Sequence, residues 1–283
     1  MNKDITVLIL AHRSKDLVLT YIKNIYKKFK IIIIDNSNDI ELESHLIKNY
    51  PEITIKLIDN NGYGNAINFG SKLVKTKYFI ASNPDLQGIN EKSLLKFLSI
   101  ANLLKDKFST IGPRYENADP KSLKQSDINK DVSEIEVISG ACMFFNKKNF
   151  DLIGGFDENF FLYFEENDFC TRSFPINKNY QINTIQVKHD AGNSVTIKNN
   201  EERLLHDNFR TWHFMWSKFY FYKKKYNFLI ATIYFTPIFI RLFIRIIFHT
   251  LFNDKKRANK YKSRMSGLIN SMLGNKSNYR IKN

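Results

Sequence analysis

Cysteine is scarce in this sequence: its 283 residues include only Cys142 and Cys170, which do not form a CxxC pair. This spacing argues against a disulfide framework or a cysteine-based metal site, and it predicts two buried thiols in a reducing compartment. The first ten residues also lack the basic and apolar segments of a signal peptide. We therefore expect a cytoplasmic amino terminus.

A long apolar run and carboxy-terminal acids are missing as well. The longest uncharged run, residues 226–240, has 15 residues and stops at Arg241, whereas a membrane-spanning helix needs about 20 apolar residues. Residues 218–283 contain 15 lysines and arginines and one acid, Asp254, so they carry nearly all of the net charge of +15. A nucleic-acid binder usually carries such charge on its folded domain. The basic, aromatic tail instead predicts helices lying in an anionic membrane surface, with a hydrophobic hairpin as the alternative.

Short β-branched runs alternate with helical patterns along the first hundred residues. Predicted strands cover residues 5–10, 30–34, 53–58 and 77–81, and predicted helices cover residues 16–28, 40–49, about 64–74 and 90–104. This alternation of helices with continuously apolar strands predicts an α/β fold, in which helices cover both faces of a mostly parallel central sheet.

The pattern is less regular beyond residue 110. Residues 114–134 predict a polar loop, residues 135–146 a strand with Gly140 at its centre, residues 181–187 another strand, and residues from 201 onward a series of helices. We therefore predict one domain over residues 1–200, with halves at about 1–112 and 135–200. A helical, basic tail is predicted over residues 201–283.

Polar residues follow several predicted strands, at the sheet edge where open α/β folds bind ligands. Asp85 ends a tight Asn-Pro-Asp turn, where its carboxylate could hold a divalent cation that bridges phosphates, or simply form the turn. Asp35 could accept hydrogen bonds from a base or ribose, or it could cap the next helix or form a turn. Gly62, Gly64 and Gly70 do not have the GxGxxG spacing, but they would let the backbone approach a phosphate or a sugar hydroxyl.

Acidic residues concentrate beside aromatic residues at positions 156–169. On a helix, Glu165 and Asp168 share one face while Glu166 points aside. Like charges against aromatic walls raise a carboxyl pKa, which suits a general base; a solvated helix face is the alternative. His189, at the end of a predicted strand, could contact a metal or a phosphate, or be structural.

In their order and spacing, these motifs resemble family 2 glycosyltransferases, in particular the bacterial rhamnosyltransferase-like branch. The resemblance runs from about Thr6 to Ser194. The matching motifs are residues 7–13, Ile34-Asp35-Asn36-Ser37, Asn61-Gly62-Tyr63-Gly64-Asn65-Ala66 with Asn68 and Gly70, Asn83-Pro84-Asp85, Ser139-Gly140-Ala141, Gly154-Gly155-Phe156-Asp157-Glu158, Phe161, Tyr163, Glu165-Glu166-Asn167-Asp168 with Arg172, and residues 189–194.

The resemblance implies a GT-A fold with a nucleotide-sugar half and an acceptor half. It implies that Asp85 is the last acid of a D-x-D motif that binds Mg²⁺ or Mn²⁺, that His189 contacts the metal or the diphosphate, and that Glu166 is the base. Glu165 and Asp168 remain rival bases. The implied donor-binding residues are Ala11, Arg13, Asp35, Asn61, Gly62, Gly64, Asn65, Asn68, Asn83, Asp85 and Gly140.

The sequence departs from the family pattern at three places. Asn83 replaces the first acid of D-x-D, Glu166 replaces an aspartate, and Ala11-His12-Arg13 replaces Thr-Tyr-Asn. The expected function is inverting transfer of a sugar to a lipid-linked or cell-surface polysaccharide acceptor at the cytoplasmic face of a membrane. L-Rhamnose from dTDP-L-rhamnose is the first candidate donor. The alternatives are a UDP- or GDP-hexose donor, or an inactive membrane-associated scaffold with the same fold.

Overall fold

The computed structural model of the protein describes residues 1–119, 123–189, 195, 197 and 199–281. The predicted motif residues 190–194 lie outside this part of the chain. Contacts divide the chain into two compact units: Met1–Asp157 with Glu166–Thr196, and Glu158–Glu165 with Ile197–Asn283. The segment 158–165, which lies within the predicted domain 1–200, therefore belongs to the carboxy-terminal unit.

The first unit opens with the predicted parallel sheet. Strands β1 (Ile5–Ala11), β2 (Lys30–Asp35), β3 (Thr54–Leu57) and β4 (Tyr78–Ser82) lie in the order β3-β2-β1-β4 and are all parallel. They alternate with helices α1 (Lys15–Lys23), α2 (Ile40–Asn49) and α3 (Tyr63–Leu73). Each predicted element is confirmed to within a few residues, except that α1 ends five residues before the predicted position 28.

The apolar strands are buried on both faces, because successive side chains point to opposite sides of a strand. Ile31 and Ile33 pack on one side of the sheet, beneath α1, α2 and helix α4 (Glu91–Leu103). Ile32 and Ile34 pack on the other side, beneath α3 and helices α5 (Lys147–Ile153) and α6 (Glu165–Ser173). An alternating polar face is therefore absent from β1, β2 and β4, as expected for strands covered on both sides, whereas the edge strand β3 exposes Thr54 and Lys56.

The second half of the sheet is mixed rather than parallel. Its strands are β5 (Leu86–Gln87), β6 (Thr110–Tyr115), β7 (Val132–Glu134), β8 (Cys142–Asn146) and β9 (Asn179–His189). They extend the sheet from β4 in the order β8-β6-β9-β5, with β7 beside β9. Within this half only β6 and β9 are parallel, while β8 runs antiparallel to both β4 and β6. The α/β fold class is confirmed, with its parallel character confined mainly to the first half.

Two predictions for this half were wrong in detail. The predicted strand 135–146 is a strand only from Cys142 onward, and Gly140 lies in the preceding turn rather than at a strand centre. The sequence pattern also missed β6, because Gly112 and Pro113 interrupt it, and it missed the short strand β7, which lies in the predicted polar loop 114–134. Cys142 and Cys170 are buried and free, as predicted, and burial raises the pKa of both thiols, that of Cys170 to about 12.

The second unit consists of three helices and the segment Glu158–Glu165. Helices α7 (Asn200–Lys225), α8 (Phe228–Leu251) and α9 (Lys255–Met272) pack around a shared apolar core. That core is formed by Met215, Phe219, Ala231, Phe235, Leu242, Met265 and Leu268. The predicted helical tail is thus observed, and residues 228–240 of its uncharged run lie within helix α8.

Helix α8 has an unusual composition for the surface of a unit. It has 24 residues, and it is long and apolar enough to cross a membrane by length and composition alone. Only 17% of its most apolar window is buried within the described part of the chain. A helix that is apolar on all sides is normally covered on all sides. We therefore expect another apolar surface to cover the outer face of α8.

His213 is a fully buried histidine of α7. Its Nδ1 lies 2.9 Å from the Ser277 hydroxyl, and its Nε2 lies 2.9 Å from the carbonyl oxygen of Tyr279. A carbonyl can only accept, so Nε2 carries the proton and Nδ1 accepts the hydroxyl proton of Ser277. Burial lowers the pKa of His213 from 6.5 to about 4, so the imidazole is neutral near neutral pH.

We expect His213 to make the folded chain sensitive to acid. Between pH 6.5 and about 4 the unfolded chain binds a proton at this residue and the folded chain does not. The free energy of unfolding therefore decreases as the pH is lowered through this range. The stabilisation due to neutral His213 is fully present above the pKa of the unfolded chain. About 3 kcal/mol of it is lost when the pH reaches the pKa of the folded chain. Urea unfolding near neutral pH and near the folded pKa measures it. His213→Gln should lose less stability on acidification than the wild type, and equal losses would contradict the assignment.

Candidate functional site

The carboxyl ends of β1, β2 and β3 bring several predicted residues together. Ala11 is the register partner of Asp35 on the neighbouring strand. The backbone amide of Arg13 donates to the Ser37 hydroxyl at 2.9 Å, and the His12 Nδ1 lies 2.8 Å from the Asn36 side-chain oxygen. Polar groups from adjacent strands therefore meet at one edge of the sheet, as the prediction requires.

Asp35 is fully buried, and its carboxylate is used by its own turn. It accepts hydrogen bonds from the backbone amide and the hydroxyl of Ser37 and from the backbone amide of Asp39. The geometry matches the turn-forming alternative, because both oxygens already have donors. Contact between Asp35 and a base would require this turn to open.

The segment before α3 presents its backbone at the same edge. Gly62 caps α3 with a φ of +102°, in the left-handed region that favours glycine. Asn61 is exposed, Asn65 is half-buried and Gly64 is buried. The amino terminus of α3 therefore places backbone amide groups of its first turn, a kind of group that binds phosphate, at this edge.

Asn68 makes a contact that the sequence did not reveal. Its side-chain NH₂ donates to the Phe156 carbonyl at 2.9 Å, and its side-chain oxygen accepts from the Phe156 amide at 2.9 Å. The adjacent Gly155 has a φ of +67°, and a Cβ there would lie 2.6 Å from the Asn68 oxygen. Asn68 thus fixes the loop after α5, although it was predicted to bind the donor.

Asp85 and His189 are brought together by strand pairing. Leu86, the residue after Asp85, is the register partner of His189 in the antiparallel pair of β5 and β9. The His189 Nε2 consequently lies 3.4 Å from the Asp85 Oδ2, an ion pair when the imidazole is protonated. Strand pairing therefore places two residues that are more than a hundred positions apart next to each other.

The Asp85 carboxylate fits a cation site on chemical grounds. Asp85 is 4% exposed, and neither of its buried carboxylate oxygens has a hydrogen-bond partner in the described chain. A buried charge without donors is costly unless a cation compensates it. The described residues contain no group of three or more His, Cys, Asp or Glu side chains able to hold a metal. A cation here would therefore share Asp85 and His189 with substrate oxygens, as Mg²⁺ does at phosphate sites.

Glu166 lies beside the turn that contains Gly140. A Cβ placed on Gly140 would lie 3.6–3.7 Å from the Cβ, Cγ and Cδ of Glu166, so the glutamate side chain runs along this glycine. The Tyr63 hydroxyl donates to the Gly140 carbonyl. In the same turn, the Ala141 carbonyl accepts the Asn83 amide at 2.9 Å. The Glu166 side chain and the turn from Asn83 to Asp85 thus lie against adjacent residues, Gly140 and Ala141 respectively.

The rival bases differ in their surroundings. Asp168 is 3% exposed, and its Oδ2 accepts from the Arg172 Nε at 2.8 Å. The same guanidinium donates to the carbonyls of Ile153 and Gly155. Asp168 therefore orients the arginine that holds these two carbonyls. Glu165 is buried and belongs to the second unit, whereas Glu166 is half-buried and belongs to the first. These positions favour Glu166 as the accessible carboxylate.

The sequence did not single out Tyr63 or Tyr115. Tyr63 belongs to the motif of residues 61–66, in which only the glycines and asparagines are predicted to bind the donor. Tyr115 is buried, with 4% of its surface exposed, and its ring centroid lies 6.3 Å from that of His189. Burial raises the pKa of Tyr115 well above its usual value. Its position on the unpredicted strand β6 left no signal for it.

A family model described as Glycosyl transferase family 2 matches residues 6–151, just over half of the chain. The chain belongs to glycosyl transferase family 2. The match spans the strand ends, the α3 glycines, Asp85 and Gly140, and so the family resemblance stated from the sequence is confirmed. The glycosyl transferase family 2 match ends before Glu166 and His189, whose roles remain predictions.

Relatives and solved structures agree with this family. The chain is 24% identical over 202 residues to the low-salt glycan biosynthesis hexosyltransferase Agl10 of Haloferax volcanii, covering 61% of this chain and 62% of that protein. It thus spans less than two thirds of that relative's length. Crystal structures of GalNAc-T7 with UDP, GalNAc and Mn²⁺ (TM-score 0.57, 13% identity, 78% of this chain and 50% of that chain) and of S. aureus TarS 1–349 with UDP (TM-score 0.56, 10% identity, 99% and 94%) share the fold.

Proposed function

We propose that the protein is an inverting glycosyltransferase that uses a nucleoside diphosphate sugar as donor. The observation that carries this proposal is the buried Asp85 carboxylate, which has no hydrogen-bond donor among the described residues and lies beside His189. A divalent cation bound there would offset the negative charge that develops on the leaving diphosphate. Family membership supports the same activity.

The remaining chemistry falls to the chain itself. The backbone amides at the start of α3 and the polar ends of β1 and β2 bind and orient the donor. Glu166 removes the proton from an acceptor hydroxyl, whose oxygen attacks the anomeric carbon on the face opposite the diphosphate. Inverting glycosidases use a carboxylate on water in the same sense. The proton is held on a Glu166 carboxyl oxygen, and the diphosphate departs with the bonding electron pair.

Two donor classes are candidates. The rhamnosyltransferase-like motifs favour dTDP-L-rhamnose. The UDP in the TarS and GalNAc-T7 structures and the hexosyltransferase relative favour a UDP-hexose. Transfer and donor-hydrolysis assays with dTDP-, UDP- and GDP-sugars and Mn²⁺ separate these possibilities. Nucleotide binding without turnover of any donor would instead support the scaffold alternative that Asn83 suggests.

A peripheral position on the cytoplasmic face of a membrane is the second part of the proposal. It is supported by the outer face of α8, where exposed fractions reach 59% for Ile244, 45% for Ile247 and 79% for Leu251. Lysines 223–225 at the end of α7 and the basic residues that begin α9 flank this face. An apolar strip bordered by cations suits anionic lipid, which would bring the site close to a lipid-linked or polysaccharide acceptor.

A position in the interface fits this unit better than a membrane span. Arg241 lies near the middle of α8, where insertion of an arginine costs about 2.5–3.5 kcal/mol on translocon scales. Helix α9 packs along α8 through Met265 and Leu268 and carries many cations, which a spanning α8 would draw into hydrocarbon. In an interfacial position, the apolar face is covered while the cations stay at the lipid headgroups.

We expect Ile244→Glu with Ile247→Glu to reduce binding to phosphatidylglycerol vesicles by at least about 100-fold, because each buried side chain contributes about 1.5–3 kcal/mol. Leu103→Glu with Leu152→Glu is the matched control, since both leucines are exposed in the first unit. Flotation of the full chain measures the partition, and sedimentation measures its oligomeric state. Unchanged flotation of the α8 variant, or a dimer that this variant dissolves, would refute the membrane assignment.

A further inference from the structure

The two residues before α6 have an unusual backbone. Tyr163 and Phe164 have φ angles of +69° and +70°, so two consecutive non-glycine residues occupy the left-handed region. Side chains of L residues disfavour this region, and such strain persists only where surrounding contacts enforce it. Glu165 and Glu166 follow directly, at the start of α6. The strained turn therefore sets the direction in which this helix begins.

Aromatic contacts within the second unit hold the turn against α7. Each ring of the segment 160–164 finds a ring on that helix at centroid distances of 4.7–5.8 Å. The pairs are Phe160 with Tyr220, Phe161 with Phe209 and His213, Tyr163 with Phe214, and Phe164 with Phe214 and Phe221. The α7 partners recur at helical spacing and so form one face of the helix.

Polar contacts fix the same segment in register. The Arg210 Nε donates to the Tyr163 hydroxyl at 3.0 Å, and the Ser217 hydroxyl donates to the Leu162 carbonyl at 2.8 Å. The Arg280 guanidinium lies 3.6 Å from the centroid of the Phe161 ring on which His213 also stacks. The end of the chain thus reinforces the contact between α7 and the turn.

We propose that α7 is a positioning element for the reaction, and that Arg210, through Tyr163, holds the left-handed turn that orients Glu165 and Glu166. This inference rests on the proposed role of Glu166 as the base. Without the α7 contacts, Tyr163 and Phe164 relax toward unstrained backbone angles, and the first turn of α6 rotates. The helical unit then has a part in catalysis that is separate from membrane binding.

Arg210→Met and Tyr163→Phe test the inference, because each removes the hydrogen bond between these side chains and keeps most of the apolar packing. Arg203→Met, an exposed arginine on the same helix, is the control. Amide hydrogen exchange over residues 163–167 should accelerate about 5- to 10-fold in both variants, the effect of losing one hydrogen bond. The control and the remaining peptides of both variants should exchange like the wild type.

The same variants should show a kinetic defect confined to the chemical step. We expect kcat to fall about 10-fold or more, since small misplacement of a reacting group is costly. The acidic limb of the pH profile should shift, while KM for the donor stays within about twofold because the donor contacts are untouched. The double variant should be no worse than either single variant, since both remove one interaction.

Two results would overturn the inference. One is wild-type exchange at residues 163–167 in both variants. The other is a loss of activity that follows a lower Tm alone, with an unchanged pH profile. If the wild-type protein transfers no sugar from any donor, the proposed function fails. The exchange measurement then still decides whether Arg210 and Tyr163 hold the turn.

Discussion

Glu166→Gln is expected to lower kcat for sugar transfer about 10²- to 10⁴-fold, the usual contribution of a positioned general base. The amide keeps the size and shape of the side chain along Gly140, so the donor should bind with nearly wild-type affinity. The acidic limb of the pH profile should disappear, because no carboxyl group remains to titrate in the base position. Single-turnover kinetics with a fixed donor and acceptor measure the effect.

Three further variants test whether the base is Glu166 rather than a neighbouring carboxylate. Glu43→Gln, which changes a half-buried glutamate of α2, should transfer sugar at the wild-type rate. Asp168→Asn should mainly lower stability, since it weakens the pair with Arg172 that holds the carbonyls of Ile153 and Gly155. If Glu165→Gln abolishes transfer while Glu166→Gln remains nearly as active as the wild type, the base is Glu165.

Asp85→Asn should have opposite effects on the free and the ligand-bound protein. Without a cation, the variant should be more stable than the wild type by about 1–3 kcal/mol, because it removes a buried charge that lacks hydrogen-bond donors. With Mn²⁺ and a nucleoside diphosphate at 100 times the Kd, the wild type should gain about 2.7 kcal/mol, and the variant should gain little. Thermal and urea unfolding with and without these ligands measure both effects.

The sign of the first effect separates a cation site from an ordinary turn residue. An Asp85 that only formed its turn would make the substitution neutral or destabilising and would leave ligand stabilisation intact. Asp4→Asn, an exposed change before β1, should alter neither quantity. Destabilisation of the free Asp85→Asn protein together with full stabilisation by Mn²⁺ and nucleotide would end the metal assignment.

The first half of the fold could be predicted because local sequence patterns determine its strands and helices. Continuous isoleucines in β2 can be buried only by layers on both faces, and Asp39 caps α2 where the pattern begins. The polar residues after each strand therefore meet at one edge without any further information. The family resemblance implied metal contacts for both Asp85 and His189, and their proximity depends on the pairing of β5 with β9.

Other features depend on partners that are distant in the sequence. Strand β6 is hidden because Gly112 and Pro113 weaken its pattern, although β8 and β9 pair with it on either side. Asn68 looked like a ligand contact, since only the fold reveals the Phe156 backbone opposite it. The two left-handed residues at 163 and 164 have no compositional signal at all, because neither is glycine or asparagine.

The assignment of residues 158–165 to the carboxy-terminal unit has a practical consequence for protein production. A recombinant fragment that ends near residue 200 would retain Phe160, Phe161, Tyr163 and Phe164 but remove the α7 rings that cover them. Such a fragment would expose an apolar aromatic surface and tend to aggregate during purification. Crystallisation should therefore start from the full chain in detergent rather than from a trimmed first unit.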